Sequence, residues 1–401
     1  MTGQCATAGI AESITILPPL RGSARSLWLR GPLWDGFWMQ SALWLAPVAL
    51  WLAYGYSNPA KSPLDLLYFG VTALFWIAHR LSSTYLAYCT EAYRPLLRTQ
   101  PVRFVLLPFL IIAGCFAIFL PQDEALPWSR QERLVWLAII DYAFVTYHFA
   151  SQHFGALSLY RSRAGRSACR WTRRLDRSFA LLIGGLLVLV ADMLAGAIAF
   201  HEEWIDRWFF PELIVSAQEE IRFVATIVLL AATATMLFAE ARAERWSLPR
   251  VLYIVGLAIM VGIALRPRSL FLFLVIWTSQ HWILAVGLTS QTVRNEPAPA
   301  SGLIRGAFHK VNVRPWAVLL FLILVSILLL PVFEVEANGP DDTYYGDRMF
   351  GAMATALRTS SWVPALVALG FATGFIHYLL DRSVYRFSNP DVRAAASGLL
   401  R

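Results

Sequence analysis

Residues Tyr142–Arg161 read YAFVTYHFASQHFGALSLYR. The stretch is apolar enough to lie inside a bilayer, yet it carries two of the chain's seven histidines, His148 and His153, with Ser151 and Gln152 between them. A polar side chain at membrane depth costs a few kcal/mol unless it finds partners, so an ionisable pair there points to a functional site.

Composition places this segment among many like it. Hydrophobic residues make up 57% of the chain and charged residues 15%, and the mean hydropathy is +0.54. Apolar runs of about 20 residues recur throughout, the pattern of a polytopic helical membrane protein. They fall at about Gly36–Tyr56, Leu64–Tyr88, Val102–Leu120, Leu134–Tyr160, Phe179–Phe200, Phe223–Ala239, Arg250–Leu265, Leu270–Gln291, Trp316–Phe333 and Trp362–Tyr385. The expected fold is therefore an all-α transmembrane helical bundle of about ten spans. Residues 1–34 are polar and irregular, lack the apolar core of a signal peptide, and are expected to form an N-terminal cytoplasmic tail. Residues 35–386 form one transmembrane domain and 387–401 a C-terminal cytoplasmic tail in this reading. The four cysteines, Cys5, Cys89, Cys115 and Cys169, show no CxxC spacing and are expected as free thiols.

The net charge of +8 comes from arginines concentrated in particular loops, so it reads as a topology signal and not as a nucleic-acid footprint. Arg94, Arg98 and Arg103 follow the second span, Arg161 to Arg177 the fourth, Arg242, Arg245 and Arg250 the sixth, and Arg294, Arg305, Lys310 and Arg314 the eighth. The alternate loops carry Asp123 and Glu124, then Glu202, Glu203, Asp206 and Glu212, then Glu334, Glu336, Asp341 and Asp342. By the positive-inside rule both termini are cytoplasmic, which in a bacterium means a multi-pass protein of the inner membrane. Only the Arg266–Arg268 turn runs against the pattern.

This orientation gives five histidines a common depth. His79, His148, His153, His281 and His377 lie on even-numbered spans, each in the half nearer the cytoplasm, while His201 and His309 lie in loops. Ser151-Gln152-His153 recurs as Ser279-Gln280-His281 at a similar depth. His377 and Asp381 are one helical turn apart on one face, a spacing that suits two ligands, or a ligand and the neighbour that orients it. His148 and His153 diverge by about 140° around a helix, so one of them supports the other unless the helix bulges. An imidazole-rich set suits iron, copper or zinc, whereas magnesium and calcium call for oxygen ligands.

Other polar residues in the spans have plainer expectations. Asp192 is expected in a separate helix–helix network, Arg80 with Glu240, and Tyr85, Tyr147, Tyr160 and Tyr378 as packing or cavity-lining residues.

Ser151-Gln152-His153-Phe154-Gly155 resembles the His-Phe-Gly segment of the polytopic bacterial β-carotene dioxygenases related to bacteriorhodopsin-associated proteins, whose intramembrane histidines hold a non-haem iron. The match is short, and the chain has no counterpart to that family's His-Gly-x-x-Asp-His segment. The resemblance implies an oxygen-using iron oxidoreductase acting on a lipid-soluble substrate. His79, His153, His281 and His377 are then the expected metal ligands, with His148 a fifth ligand or a proton carrier. Asp381, Gln152 and Gln280 are expected to orient the imidazoles or to contact bound water or oxygen.

Two other classes fit the same features. Intramembrane His, Asp and Arg also build proton-coupled transporters, in which the Ser-Gln-His recurrence would mark two structural repeats. A haem-bearing electron-transfer subunit needs only two of the imidazoles. The expected partners are a lipid-soluble small molecule, membrane lipid and an electron donor, with no nucleic acid.

Overall fold

A computed structural model of the chain describes residues 27–45, 47–48, 63–122, 125–166, 169–199, 216–266, 270–299, 301–338, 356–357 and 360–396. These residues form fourteen α-helices. In chain order they are α1 (Pro32–Trp38), α2 (Pro63–Cys89), α3 (Arg94–Thr99), α4 (Leu107–Phe119), α5 (Arg130–Arg163), α6 (Arg170–Leu181), α7 (Leu187–Ala199), α8 (Gln218–Ala241), α9 (Leu248–Ala264), α10 (Leu270–Thr292), α11 (Leu303–Asn312), α12 (Pro315–Asn338), α13 (Val363–Val384) and α14 (Pro390–Ala395). Two π-helical turns, Val102–Leu106 and Leu182–Leu186, lead into α4 and join α6 to α7.

The helix ends follow local chemistry. Ser129 caps α5 in a reciprocal box with Glu132, the Ser129 side chain accepting from the Glu132 amide and the Glu132 carboxylate accepting from the Ser129 amide. Proline opens α9 and α13 in the first turn, where its missing N–H costs nothing. Between α11 and α12 the axis turns by 112° at Pro315, because the residue before a proline is driven out of the helical region.

Five helical stretches are long and apolar enough to cross a bilayer: Val102–Phe119, Arg130–Arg163, Arg170–Leu194, Gln218–Ala241 and Val363–Val384. The bent pair Leu303–Asn312 with Pro315–Leu330 makes a sixth if counted as one span. Sequence reading expected about ten, and from the second run onward each apolar run does coincide with a helix. Helix α9, at 17 residues, is at the short limit of what crosses a bilayer. Residues 46 and 49–56 of the first expected span, residues 201–215, residues 267–269 at the Arg266–Arg268 turn, most of the loop from Glu334, the greater part of the N-terminal tail and residues 397–401 lie outside the described residues, as does Cys5. Cys89, Cys115 and Cys169 are free thiols.

The described bundle exposes large apolar side chains and buries polar ones between apolar cores. Phe109 and Leu110 on α4, Phe223, Val224 and Leu230 on α8 and Leu324 and Leu328 on α12 are exposed, whereas all four histidines of the site described below are buried. A water-soluble bundle shows the opposite arrangement. Helix α2 packs on α10, α12 and α13, and α13 on α4, α5 and α12. On the other side α6 packs on α5 and α8, and α9 on α8 and α10. Two apolar cores result: one gathers Leu157, Ile183, Ile254 and Leu284, the other Leu86, Val286, Ile376 and Leu380. Helix α10 contributes to both, so the seam between them runs along it.

Glycine allows two close approaches near that seam. A Cβ on Gly184, in the second π turn, would lie 2.6 Å from His153 Cδ2, and one on Gly374 of α13 would lie 2.6 Å from Arg80 Nη2. The Arg80 guanidinium sits over the rings of Trp76 and Phe333, at 5.4 and 5.3 Å. The expected Arg80–Glu240 pair is therefore not formed. Glu240 instead accepts from Arg166, at 2.7 and 2.5 Å, and from Arg250 Nε, at 3.0 Å, while Arg250 Nη2 reaches Asp176 at 2.5 Å and Arg161 also binds Asp176. This buried ionic cluster ties the ends of α5, α6, α8 and α9.

Candidate metal centre

Four histidines from four helices meet at the seam: His79 of α2, His148 of α5, His281 of α10 and His377 of α13. One ring nitrogen from each lies within 4.8 Å of all the others, and all four side chains are buried. The rings form a closed circuit. Centroids are 4.4 Å apart for His79–His281, 4.7 Å for His281–His148, 4.9 Å for His148–His377 and 4.2 Å for His377–His79. Each neighbouring pair is nearly perpendicular, with interplanar angles from 78° to 84°, and the His79–His148 diagonal is 5.9 Å.

One imidazole is hydrogen-bonded at its outer nitrogen and a second has a carboxylate nearby. His377 Nδ1 is 3.0 Å from Ser83 Oγ, and His148 Nδ1 is 3.8 Å from Asp381 Oδ2. Their Nε2 atoms then face each other at 3.2 Å. A metal-bound imidazole usually has its second nitrogen held in this way. Phe149 stacks on His281 with centroids 3.8 Å apart and interplanar angle 28°. His281 is fully buried and neither of its ring nitrogens has a hydrogen-bond partner, nor does His79 Nδ1. Buried polar atoms are rarely left unsatisfied, and a cation among them would satisfy these.

The donor set fits a first-row transition ion. Four nitrogens at about 2.1 Å from a tetrahedral ion are about 3.4 Å from one another, close to the observed Nε2–Nε2 separation. All-imidazole ligation suits iron, copper, zinc or nickel. A porphyrin fits poorly, because the space beside any two of these rings is filled by the other two.

Of the expected site residues, His79, His281 and His377 enter the cluster together with His148, whereas His153 does not. His153 Nδ1 is 2.7 Å from the Tyr253 phenol, on the side of α5 that faces α9. The five-residue offset from His148 turns it away by about 140°. Asp381 lies beside His148 on the neighbouring helix, not beside His377 on its own. Gln280 is buried beside Tyr253, close enough to act on its phenol but without good hydrogen-bond geometry to it; Gln152 is half-buried and its Oε1 has no hydrogen-bond partner among the described residues. Neither amide hydrogen-bonds an imidazole. The two Ser-Gln-His segments thus put their histidines in different environments and are not structural equivalents.

The sequence reading passed over Asp141 and Ser83. Tyr378 donates to Asp141 at 3.1 Å, and Asp141 precedes His148 by seven residues, which puts both on one face of α5. That spacing is the signal by which His148 could have been preferred to His153. Ser83 follows His79 by four residues and has the same kind of signal. Asp192 accepts from the Tyr142 phenol and so links α7 to α5, the separate helix–helix network expected for it. Tyr85 bonds Asn312, Tyr160 bonds Asp35 at 3.0 Å, and Tyr147 faces Arg382.

No protein family, no curated protein and no solved structure matches this chain. What the fold and site define is a helical membrane protein with a buried four-histidine group able to bind a metal ion.

Proposed function

We propose that the protein is a metal-dependent oxidoreductase of a bacterial cytoplasmic membrane that uses histidine-bound iron on a lipid-soluble substrate. The observation that carries this reading is the closed circuit of four buried imidazoles, with Ser83 bonding the outer nitrogen of His377 and the Asp381 carboxylate 3.8 Å from that of His148. Four neutral ligands leave the charge of the ion uncompensated except by Asp381, which favours a further anionic or polar ligand at an open position. A redox-active ion held there supplies one-electron chemistry. The chain's own residues exclude water through Phe149, which stacks on His281, orient His377 through Ser83, and offer Asp381 as a proton carrier near His148. A substrate dissolved in lipid would reach the seam sideways between helices. In this reading the chain crosses the membrane ten times with both termini in the cytoplasm, a topology supported by the arginine-rich loops. Copper or zinc would occupy the same donors.

The test is purification in mild detergent, bound-metal stoichiometry and a visible absorption spectrum. Iron near one per chain without a Soret band is expected, and it should be lost in His281→Ala and His377→Ala. Metal content unchanged by both substitutions would sink the reading. A Soret band would make the protein a cytochrome, and absence of metal after reconstitution would point to a transporter.

A further inference from the structure

His153 and Tyr253 form a buried polar pair that the histidine cluster does not use. From His281 a row of aromatic rings leads through this pair to the arginine-rich end of the bundle. Phe149 stacks on His281, Trp277 lies 5.5 Å from Phe149 and 5.6 Å from His153, Tyr253 lies 6.1 Å from His153, and Tyr160 lies 6.1 Å from Tyr253. The Tyr160 phenol donates to Asp35 Oδ2 at 3.0 Å. Asp35 in turn anchors the backbone of residues 29–31, and Arg163 Nη2 donates to the Leu29 carbonyl at 3.2 Å. Arg30, Arg163 and Arg294 are close enough to act on one another and give this end a basic edge.

We propose that Trp277, Tyr253 and Tyr160 form a stepwise electron path between the four-histidine cluster and this basic edge, with His153 and Asp35 as proton acceptors for the two phenols. The inference rests on the oxidoreductase reading of the cluster. Tryptophan and tyrosine are the side chains most readily oxidised by one electron. A buried tyrosine gives up its electron easily only when its phenolic proton has a base within hydrogen-bond distance, since a charged radical in an apolar interior is costly. Both phenols have one: His153 Nδ1 at 2.7 Å from Tyr253, and Asp35 Oδ2 at 3.0 Å from Tyr160. Gln40 Nε2 donates to the Tyr160 oxygen at 3.2 Å, so the phenolic proton is directed to Asp35. Gly184 leaves the space in which the His153 ring lies.

The step balances as follows. With an oxidised transition-metal ion in the four-histidine cluster as the one-electron acceptor, Trp277 would lose an electron to it and regain one from Tyr253, whose phenolic proton moves to His153 Nδ1. Tyr160 reduces the Tyr253 radical, which recovers its proton from His153, while the Tyr160 proton moves to Asp35. A soluble one-electron donor of the iron–sulfur or flavin class, with an acidic surface complementary to the arginines, reduces Tyr160, and the proton returns from Asp35. The path requires the His153 tautomer that carries its proton on Nε2.

The test uses the full chain in detergent, stripped of metal, with a water-soluble ruthenium polypyridyl photo-oxidant and persulfate, read by electron paramagnetic resonance. The chain has 14 tyrosines, so assignment is by difference between variants. A tyrosyl signal is expected that falls in Tyr160→Phe and in Tyr253→Phe. In His153→Gln the Tyr253 signal should form about tenfold more slowly and lose its sensitivity to deuterated solvent. Replacing Tyr253 by 3-fluorotyrosine, which preserves packing, should retain the signal with altered hyperfine splitting. Yields and rates unchanged in Tyr160→Phe, Tyr253→Phe and His153→Gln would overturn the path. Metal content, measured separately on the same preparations, tests the cluster: radicals without metal binding would leave the path and remove the metal reading, and metal binding without these radicals would do the reverse.

Discussion

His148 Nε2 and His377 Nε2 face each other at 3.2 Å across α5 and α13, while Ser83 bonds the opposite nitrogen of His377 and Asp381 lies 3.8 Å from that of His148. Two neutral imidazoles satisfy such a contact only if one donates and the other accepts, whereas a shared cation satisfies both at once. Alanine at His79, His148, His281 or His377 should therefore lower bound metal to a small fraction of the wild-type amount. His153→Ala should leave it unchanged, since that ring bonds Tyr253. Atomic emission on purified protein separates the two groups, and loss of metal in His153→Ala together with retention in His148→Ala would reverse the assignment.

Asp381 and Ser83 make a finer test because neither belongs to the four-nitrogen set. Losing a group that holds a ligand's second nitrogen costs about 10- to 100-fold in metal affinity. Asp381→Asn and Ser83→Ala should each weaken metal binding within that range in a chelator competition, with helical content retained. An effect on binding as large as that of His377→Ala would mean that Asp381 is itself a ligand.

Much of this site was legible in the sequence. The hydropathy pattern located nine of the helices to within a few residues, apart from polar extensions such as the first turns of α5 and α6, and the arginine pattern put five histidines at one depth. Depth alone does not specify which way a helix is rotated, and the error over His153 lies there. A shared tripeptide, Ser-Gln-His, outweighed the face marked by Asp141 and His148. The same limit hid the pairing of Asp381 with His148: spacing along one helix shows which residues share a face, and only packing shows what that face meets. Arg80 was matched with Glu240 on charge, but the two lie in different halves of the bundle, where Trp76 and Phe333 cover one and Arg166 and Arg250 hold the other.

Gly184 and Gly374 should be intolerant of alanine for different reasons. At Gly184 the added methyl would meet the ring of His153, which is pinned by Tyr253, so the ring or the π turn has to shift. Overpacking of this kind costs about 1–3 kcal/mol. At Gly374 it would meet the guanidinium of Arg80, the far end of a flexible side chain. A lower thermal midpoint is expected for Gly184→Ala, with a smaller drop for Gly374→Ala. Equal or reversed drops would show that His153 is free to move.

Glu91 gives a pH signature outside the membrane. Arg305 hydrogen-bonds the Glu91 carboxylate and holds it below the ordinary glutamate range. A carboxylate whose folded value is depressed contributes stability that is complete above the unfolded value, about 4.3, and is lost as pH falls through the lower folded value. Glu296, raised by burial, works in the opposite sense and favours the folded state on acidification. Glu91→Gln should thus reduce the loss of stability on acidification below about pH 4.3, seen as a flatter plot of thermal midpoint against pH. An identical plot for the variant would remove Arg305 as the cause.

Arg250 provides the last prediction, and its geometry decides the outcome. Its guanidinium bridges two buried carboxylates, with Nη2 2.5 Å from Asp176 and Nε 3.0 Å from Glu240, and Nη1 donates to the Leu157 carbonyl at 2.7 Å. Arg161 and Arg166 complete the cluster, so three cations face two anions. Removing Arg250 leaves Asp176 paired with Arg161 and Glu240 with Arg166, but takes away the bridge between them and its charge-assisted hydrogen bonds, each worth about 1.5–3 kcal/mol. Arg250→Met should lower the thermal midpoint sharply and reduce the yield of monodisperse protein. Arg250→Lys should rescue only part of the loss, because an ammonium is a point charge and cannot span Asp176, Glu240 and a carbonyl with a planar fork. Removing the carboxylates as well leaves Arg161 and Arg166 without counter-charges, so the triple variant Asp176→Asn, Glu240→Gln, Arg250→Met should be less stable than Arg250→Met alone. If the triple variant proves the more stable, the cluster acts through packing and not through charge.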